Sequence, residues 1–216
     1  MKKMKKLKVT TILLVTLFCL ASTLRADVFY DNLSSHSDGV DSLADLGPKL
    51  FDSFSTGPSG FNLVDVKLLL MRSPSPGSIA ASLYSDSSTS PDAPLLTIGT
   101  LSDNALTSNL SAVDFALGSL YALAANTRYW LVLDSLDFTN MSTALWSWSL
   151  DQSAVGVAGE YFGNENSLVF SNIYGPYQMQ LNGTAVPEPA TMILLGLGLI
   201  GLAVYGRKKF FKRRIR

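Results

Sequence analysis

Between residues 27 and 186 the apolar residues come in short runs cut by Gly, Pro, Asn, Asp and Ser. No stretch of useful length repeats them at helical spacing, so the pattern predicts an all-β domain. The clearest strand is Leu63 to Met71, where Val64, Val66, Leu68 and Leu70 would share one face and Asp65 and Lys67 the other. Ser73-Pro-Ser-Pro-Gly77 ends it in a turn. Ile79 to Tyr84 follows, then a loop from Ser85 to Pro94, where Pro91 and Pro94 should forbid ladder pairing. Further strands are expected at Leu95–Ile98, Ala112–Leu117, Arg128–Asp134, Leu145–Leu150, Val155–Phe162, Ser167–Phe170 and Tyr177–Leu181. In Arg128–Asp134 both alternating sets are apolar, the mark of a central strand covered on both sides. Leu120 to Ala125 fits a turn or a short helix equally well. The set is enough for a β-sandwich of jelly-roll type over 27–183.

The pattern changes at both ends. Residues 1–26 join five lysines in the first eight positions to the apolar run Val9–Ala21, and Ala26 offers a small residue for cleavage. That is the form of a secretory signal peptide. The 13-residue run spans roughly 20 Å as a helix, short of a ~30 Å hydrocarbon core. Cys19, the only cysteine, lies inside it, so the mature chain is expected to have neither disulfide nor thiol chemistry. Phe18 and Thr16 do not suit a lipidation site at Cys19.

At the other end, 184–216 forms a tail. Ala190 to Gly206 holds 17 residues without a charge, among them Met192, Leu195, Gly198, Gly201 and Tyr205. Such a run spans about 25 Å as a helix, a short transmembrane segment. Arg207, Lys208, Lys209, Lys212, Arg213, Arg214 and Arg216 then supply a basic stop that the positive-inside rule places in the cytoplasm. Before the run, Val186-Pro187-Glu188-Pro189 is held extended by its two prolines.

The net charge of zero hides this asymmetry. Between Asp27 and Val186, sixteen acids face four cations (Lys49, Lys67, Arg72 and Arg128), a balance of −12. Four scattered cations cannot replace the counterions of a phosphate backbone, which excludes nucleic acid as a partner.

The order of V-P-E-P at 186–189, a Gly-containing apolar helix and R-K-K-F-F-K-R-R resembles the PEP-CTERM sorting signal of Gram-negative bacteria. The resemblance implies recognition of Pro187, Glu188 and Pro189 by an exosortase, a membrane-embedded cysteine transpeptidase, after export by the secretion machinery. The middle region, with F-D-S-F-S-T-G at 51–57, F-N-L-V-D-V-K-L-L-L at 61–70, S-L-Y-S-D at 82–86, P-L-L at 94–96 and N-T-R-Y-W-L-V-L at 126–133, is similar to the choice-of-anchor R domain. That likeness implies a β-rich bacterial surface ectodomain and little about its biochemistry.

Candidate chemistry in the domain is sparse. His36, the only histidine, sits in a Ser-rich loop with no G-x-S-x-G anywhere, which argues against a Ser-His-Asp nucleophile and a His-rich zinc site. Asp134 with Asp137, and Asp38, Asp41 and Asp45, have the spacing of loop acids in an acidic protein. They are also the candidates for a paired-carboxylate hydrolase or a Ca²⁺ site, and no D-x-D-x-D-G repeat supports the metal. Trp146 and Trp148, at i and i+2 on one strand face, form either a core layer or an exposed platform for sugar rings. The sequons at Asn32, Asn109, Asn140 and Asn182 add nothing in a bacterial host. The expected function is that of a non-enzymatic, exported surface protein without a cofactor, first held in the inner membrane and then destined for the surface or for exopolysaccharide-associated biofilm material. A carbohydrate-binding module and a secreted glycoside hydrolase are the alternatives.

Overall fold

The computed structural model describes residues 27–43, 49–72, 77–136, 144–166, 169–186 and 194–202. The described strands are β1 (Asp27–Asp31), β2 (Gly39–Ser42), β3 (Lys49–Ser55), β4 (Phe61–Met71), β5 (Ser78–Asp86), β6 (Pro91–Ser102), β7 (Ser111–Leu123), β8 (Arg128–Ser135), β9 (Leu145–Trp148), β10 (Tyr161–Asn164), β11 (Phe170–Ser171) and β12 (Met179–Ala185). They form two sheets in which every strand pairing is antiparallel. One sheet runs β1-β12-β4-β9-β2, with β7 also paired to β4; the other runs β11-β10-β3-β8-β5-β6. Strand β4 organises the first sheet. It meets β7 along one side, and on the other side β12 up to Leu68 and then β9 at Leu70 and Met71.

The core lies between the sheets. Leu63, Val66, Leu68 and Leu70 of β4 meet Ile79, Ala81 and Leu83 of β5 and Leu131 and Leu133 of β8. Strand β8 is central, flanked by β3 and β5, and both its faces are covered. Leu131 and Leu133 face the main core, while Trp130 and Val132 join Phe51 in a smaller cluster on the outer face of their sheet, packed by Tyr84, Tyr161 and Val169.

Several expectations need correction. On β4 the inward set is Leu63, Val66, Leu68 and Leu70, and Val64 is only half-buried. The β4–β7 register shifts between Leu63 and Asp65, and such a bulge reverses the side-chain phase. Pro91 and Pro94 do not interrupt pairing, because Asp86 pairs with Pro91 and Tyr84 with Pro94. Strand β6 is the sheet edge, where a missing N–H can face solvent, and register shifts absorb the rest. Residues 120–123 are strand, continuing β7. In place of a strand over Val155–Phe162, Val155 makes an isolated bridge to Asp31, residues 156–159 form a turn with Gly156 and Gly159 at positive φ (79° and 85°), and strand begins only at Tyr161. The pattern missed β1, β2 and β3, which are short or broken by polar residues. Strand β12 carries past residue 183 to Ala185. The expected signal peptide, Pro187, Glu188, Pro189, Met192, Tyr205 and the basic cluster from Arg207 lie outside the described residues. Residues 194–202, which include Leu195, Gly198 and Gly201, are helical. Among the described residues no helix is long and apolar enough to cross a membrane.

Candidate functional site

The two tryptophans settle one alternative. Trp146 is 0% exposed, donates its indole N–H to the carbonyl of Gln178 at 3.0 Å, and stacks on Tyr177 with ring centroids 4.6 Å apart. Trp148 is half-buried and packs against the same core. Its ring lies over Gly39, its direct partner across β2–β9, and beside Gly175. A Cβ on Gly39 would meet the ring at 2.4 Å, so glycine is required for that approach. The pair is therefore not an exposed platform for sugar rings. The face the two residues share is the inward face of their sheet, and burying the larger apolar surface wins.

The Trp148 indole also supports Asp41, which accepts a hydrogen bond from the Tyr177 hydroxyl at 2.8 Å. Burial raises the Asp41 carboxyl above the ordinary carboxylate range, and those two donors hold it back. Burial likewise keeps the Tyr177 phenol neutral, reinforced by the Asp41 charge.

Two further acids were not foreseen as a site. Asp52, in the middle of β3, is 0% exposed. One of its oxygens accepts the Tyr177 backbone N–H at 2.6 Å, and the other lies 3.5 Å from the Asn172 side-chain amide. Burial is the largest cause that raises its carboxyl well above the usual range; the Tyr177 N–H opposes it. On the opposite face of β3, Ser53 donates to Glu160 at 2.6 Å, and Arg128 Nε binds the same Glu160 oxygen at 3.0 Å. The Arg128 guanidinium also lies 4.8 Å from the centroid of the Tyr161 ring. The sequence carried a signal for Asp52: it is in phase with Leu50 and Phe54, so an acid occupies an inward position. Glu160 and Asn172 sit in irregular segments, where periodicity says nothing.

Of the acids singled out, Asp38, Asp41 and Asp134 lie among the described residues. Asp134 is half-buried and raised by desolvation, with the Lys49 charge opposing. Asp38 caps the Leu150 N–H at 2.7 Å. Asp45 and Asp137 lie outside the described residues, as does Asn140. His36 is exposed in the loop that follows β1. Among the described residues no group of three or more His, Cys, Asp or Glu could hold a metal ion. Of the other sequons, Asn32 and Asn182 are buried, and Asn109 is exposed.

At the tail, the Val186 N–H donates to the carbonyl of Gly60 at 2.9 Å, extending the β12 pairing by one bond up to the residue before Pro187. Residues 185–209 match the PEP-CTERM protein-sorting motif. The match covers the tail and not the sandwich, and no curated protein matches the chain. Signals of this kind are recognised by an exosortase and mark an exported, membrane-processed protein of Gram-negative bacteria.

Proposed function

We propose that this chain is a non-enzymatic surface protein whose acidic β-sandwich is delivered by its tail to the cell envelope or to exopolysaccharide-associated material. The observation that carries the reading is the sorting motif at 185–209 joined directly to the last strand of a closed sandwich. In this reading residues 1–26 are removed on export. Ala190–Gly206 holds the chain in the inner membrane, and an exosortase reads Pro187, Glu188 and Pro189. The sandwich is of choice-of-anchor R type. The stretches that resemble that domain, 51–57, 61–70, 82–86, 94–96 and 126–133, fall on β3, β4, β5, β6 and β8, the strands that build the core.

A cargo role rather than an enzymatic one is supported by what the acids do. Asp52 holds a backbone N–H inside the core, Glu160 is bound by Arg128 and Ser53, and Asp41 is bound by Tyr177. Each is engaged in holding segments together. The test is mass spectrometry of the mature C-terminus in a host with and without its exosortase. Loss of the tail only where the enzyme is present, and its retention in Glu188→Ala, is the expected result. An intact Arg216 in both hosts overturns the sorting reading.

A further inference from the structure

Both chain ends leave the sandwich at the same place. Strands β1 and β12 are antiparallel neighbours, with Asp27 opposite Gly183. Phe61 opposes both Ala185 and Leu123, and the Asn126 N–H donates to the carbonyl of Gly57 at 2.8 Å. Asp27, the turn at 56–60, the turn at 124–127 and Val186 therefore form one end of the domain. The loop before β7 lies at the other end, since Ser111 opposes Leu70 and Arg72 donates to the carbonyl of Thr107. The two turns carry no charge, while the β5–β6 turn, at the same end because Tyr129 opposes both Phe54 and Ser85, brings Asp86 and Asp92. Apolar side chains stand exposed at or near this end: Val28 at 44%, Leu120 at 59% and Val186 at 37%.

The length of chain beyond Val186 then sets a distance. Three residues, Pro187 to Pro189, separate it from Ala190, where the uncharged run begins, and the four residue-to-residue steps, at 3.3–3.6 Å each, reach at most about 14 Å. The headgroup zone on one side of a bilayer takes about 5–8 Å of that. Less than about 9 Å remains, under the ~10–12 Å diameter of a helix. No protein layer fits in such a gap.

We propose that, before processing, the sandwich sits on the outer surface of the inner membrane, with the end formed by residues 56–60, 124–127 and Val186 against the lipid headgroups. This rests on the reading of 190–206 as the membrane segment. The orientation buries the turns at 57 and 125 and leaves the loop at 107–110 free. It ends when the tail is cut.

Because Cys19 is the only cysteine, single probes can be placed cleanly in a Cys19→Ser background. Gly57→Cys and Ala125→Cys report the membrane-facing end, and Ser108→Cys the far end. A Cβ at Gly57 meets nothing within 4 Å, and Ala125 and Ser108 are exposed. The full chain is kept anchored in spheroplasts lacking exosortase and treated with a bulky, membrane-impermeant PEG-maleimide. Labelling at 57 and 125 is expected several-fold slower than at 108. The rates should converge in detergent, and also when a Gly/Ser spacer of about 12 residues, with a reach of roughly 20 Å, is inserted after Val186. Equal rates on a carbonate-resistant membrane fraction overturn the orientation and leave the anchor reading intact. A chain that carbonate strips from the membrane overturns both.

Discussion

Strand β3 carries two buried acid sites, one on each face, and they are neutralised by different means. On the outer face Glu160 is brought to Ser53 and meets a cation, Arg128, at 3.0 Å. On the inner face, among the described residues, Asp52 is met by no cation; its partners are the Tyr177 N–H, the Asn172 amide and the Ser53 N–H. The outer site is reached by a long Arg side chain that can snorkel along the sheet. The inner site lies between two packed sheets, where a guanidinium would have to lose all its water. Backbone and amide dipoles hold the carboxyl there, and burial pushes its pKa well above the usual carboxylate range.

Both sites tie the stretch between β9 and β12, which carries only the short strands β10 and β11, to the sheets. Glu160 anchors its middle to β3 and β8, and Asp52 anchors its end where Tyr177 enters the core. Removing the cation from one and the charge from the other should have unequal effects. The largest is expected for Arg128→Met, which leaves Glu160 buried and uncompensated. Breaking such a pair costs about 3 kcal/mol, at the low end of the range because Arg128 is partly exposed. Urea unfolding checks it, and adding Glu160→Gln should recover most of the loss. If the single and double variants are equally unstable, the arginine acts through its packing on Tyr161 and not through its charge.

A smaller effect is expected for Tyr177→Phe, which keeps the stack on Trp146 and the backbone bond to Asp52 but removes the hydroxyl from Asp41. A hydrogen bond to a partly buried carboxyl is worth about 1.5 kcal/mol. A change in the denaturation midpoint without a change in slope would place the loss in this bond alone.

The comparison also marks where the sequence could be read. The aliphatic half of the core, Leu68 and Leu70 against Ile79, Leu83, Leu131 and Leu133, follows from period-two alternation, because each residue's burial is decided by its own strand. The polar half could not be read that way. Asn172 reaches Asp52 across 120 positions, and Gln178 links the Asn32 and Ser35 carbonyls to the Ser147 hydroxyl across more than a hundred positions. Long-range hydrogen bonds leave no periodicity. Trp146 and Trp148 fall between these cases. Their shared face was legible, but which way it pointed depended on β2 and on Tyr177 and Gln178 closing around them. The sorting tail was legible because a processing signal is read as linear chain and needs no fold.

The subtlest change is expected for Asp52→Asn. The substitution keeps the volume and an acceptor for the Tyr177 N–H, and it removes the ionisable group. Asn172 can rotate to present its side-chain oxygen, which now lacks a partner, to the new amide. Stability at pH 4 should therefore stay within about 1 kcal/mol of the wild type. The pH dependence is what should differ. Asp52 in the folded chain holds its proton to higher pH than in the unfolded chain, which releases it near the ordinary carboxylate value of about 4. Between those two points the folded state binds more protons, so Asp52 makes stability fall as pH rises through that window. Asn removes this contribution and leaves those of Asp41 and Asp134, whose carboxyls are also raised. Urea titrations from pH 4 to 8 should show the variant falling less steeply than the wild type and overtaking it at the upper end. Parallel curves would mean that Asp52 is ionised in the folded core, held by the Tyr177 N–H without a proton, and the two faces of β3 would then differ only in the donor they use.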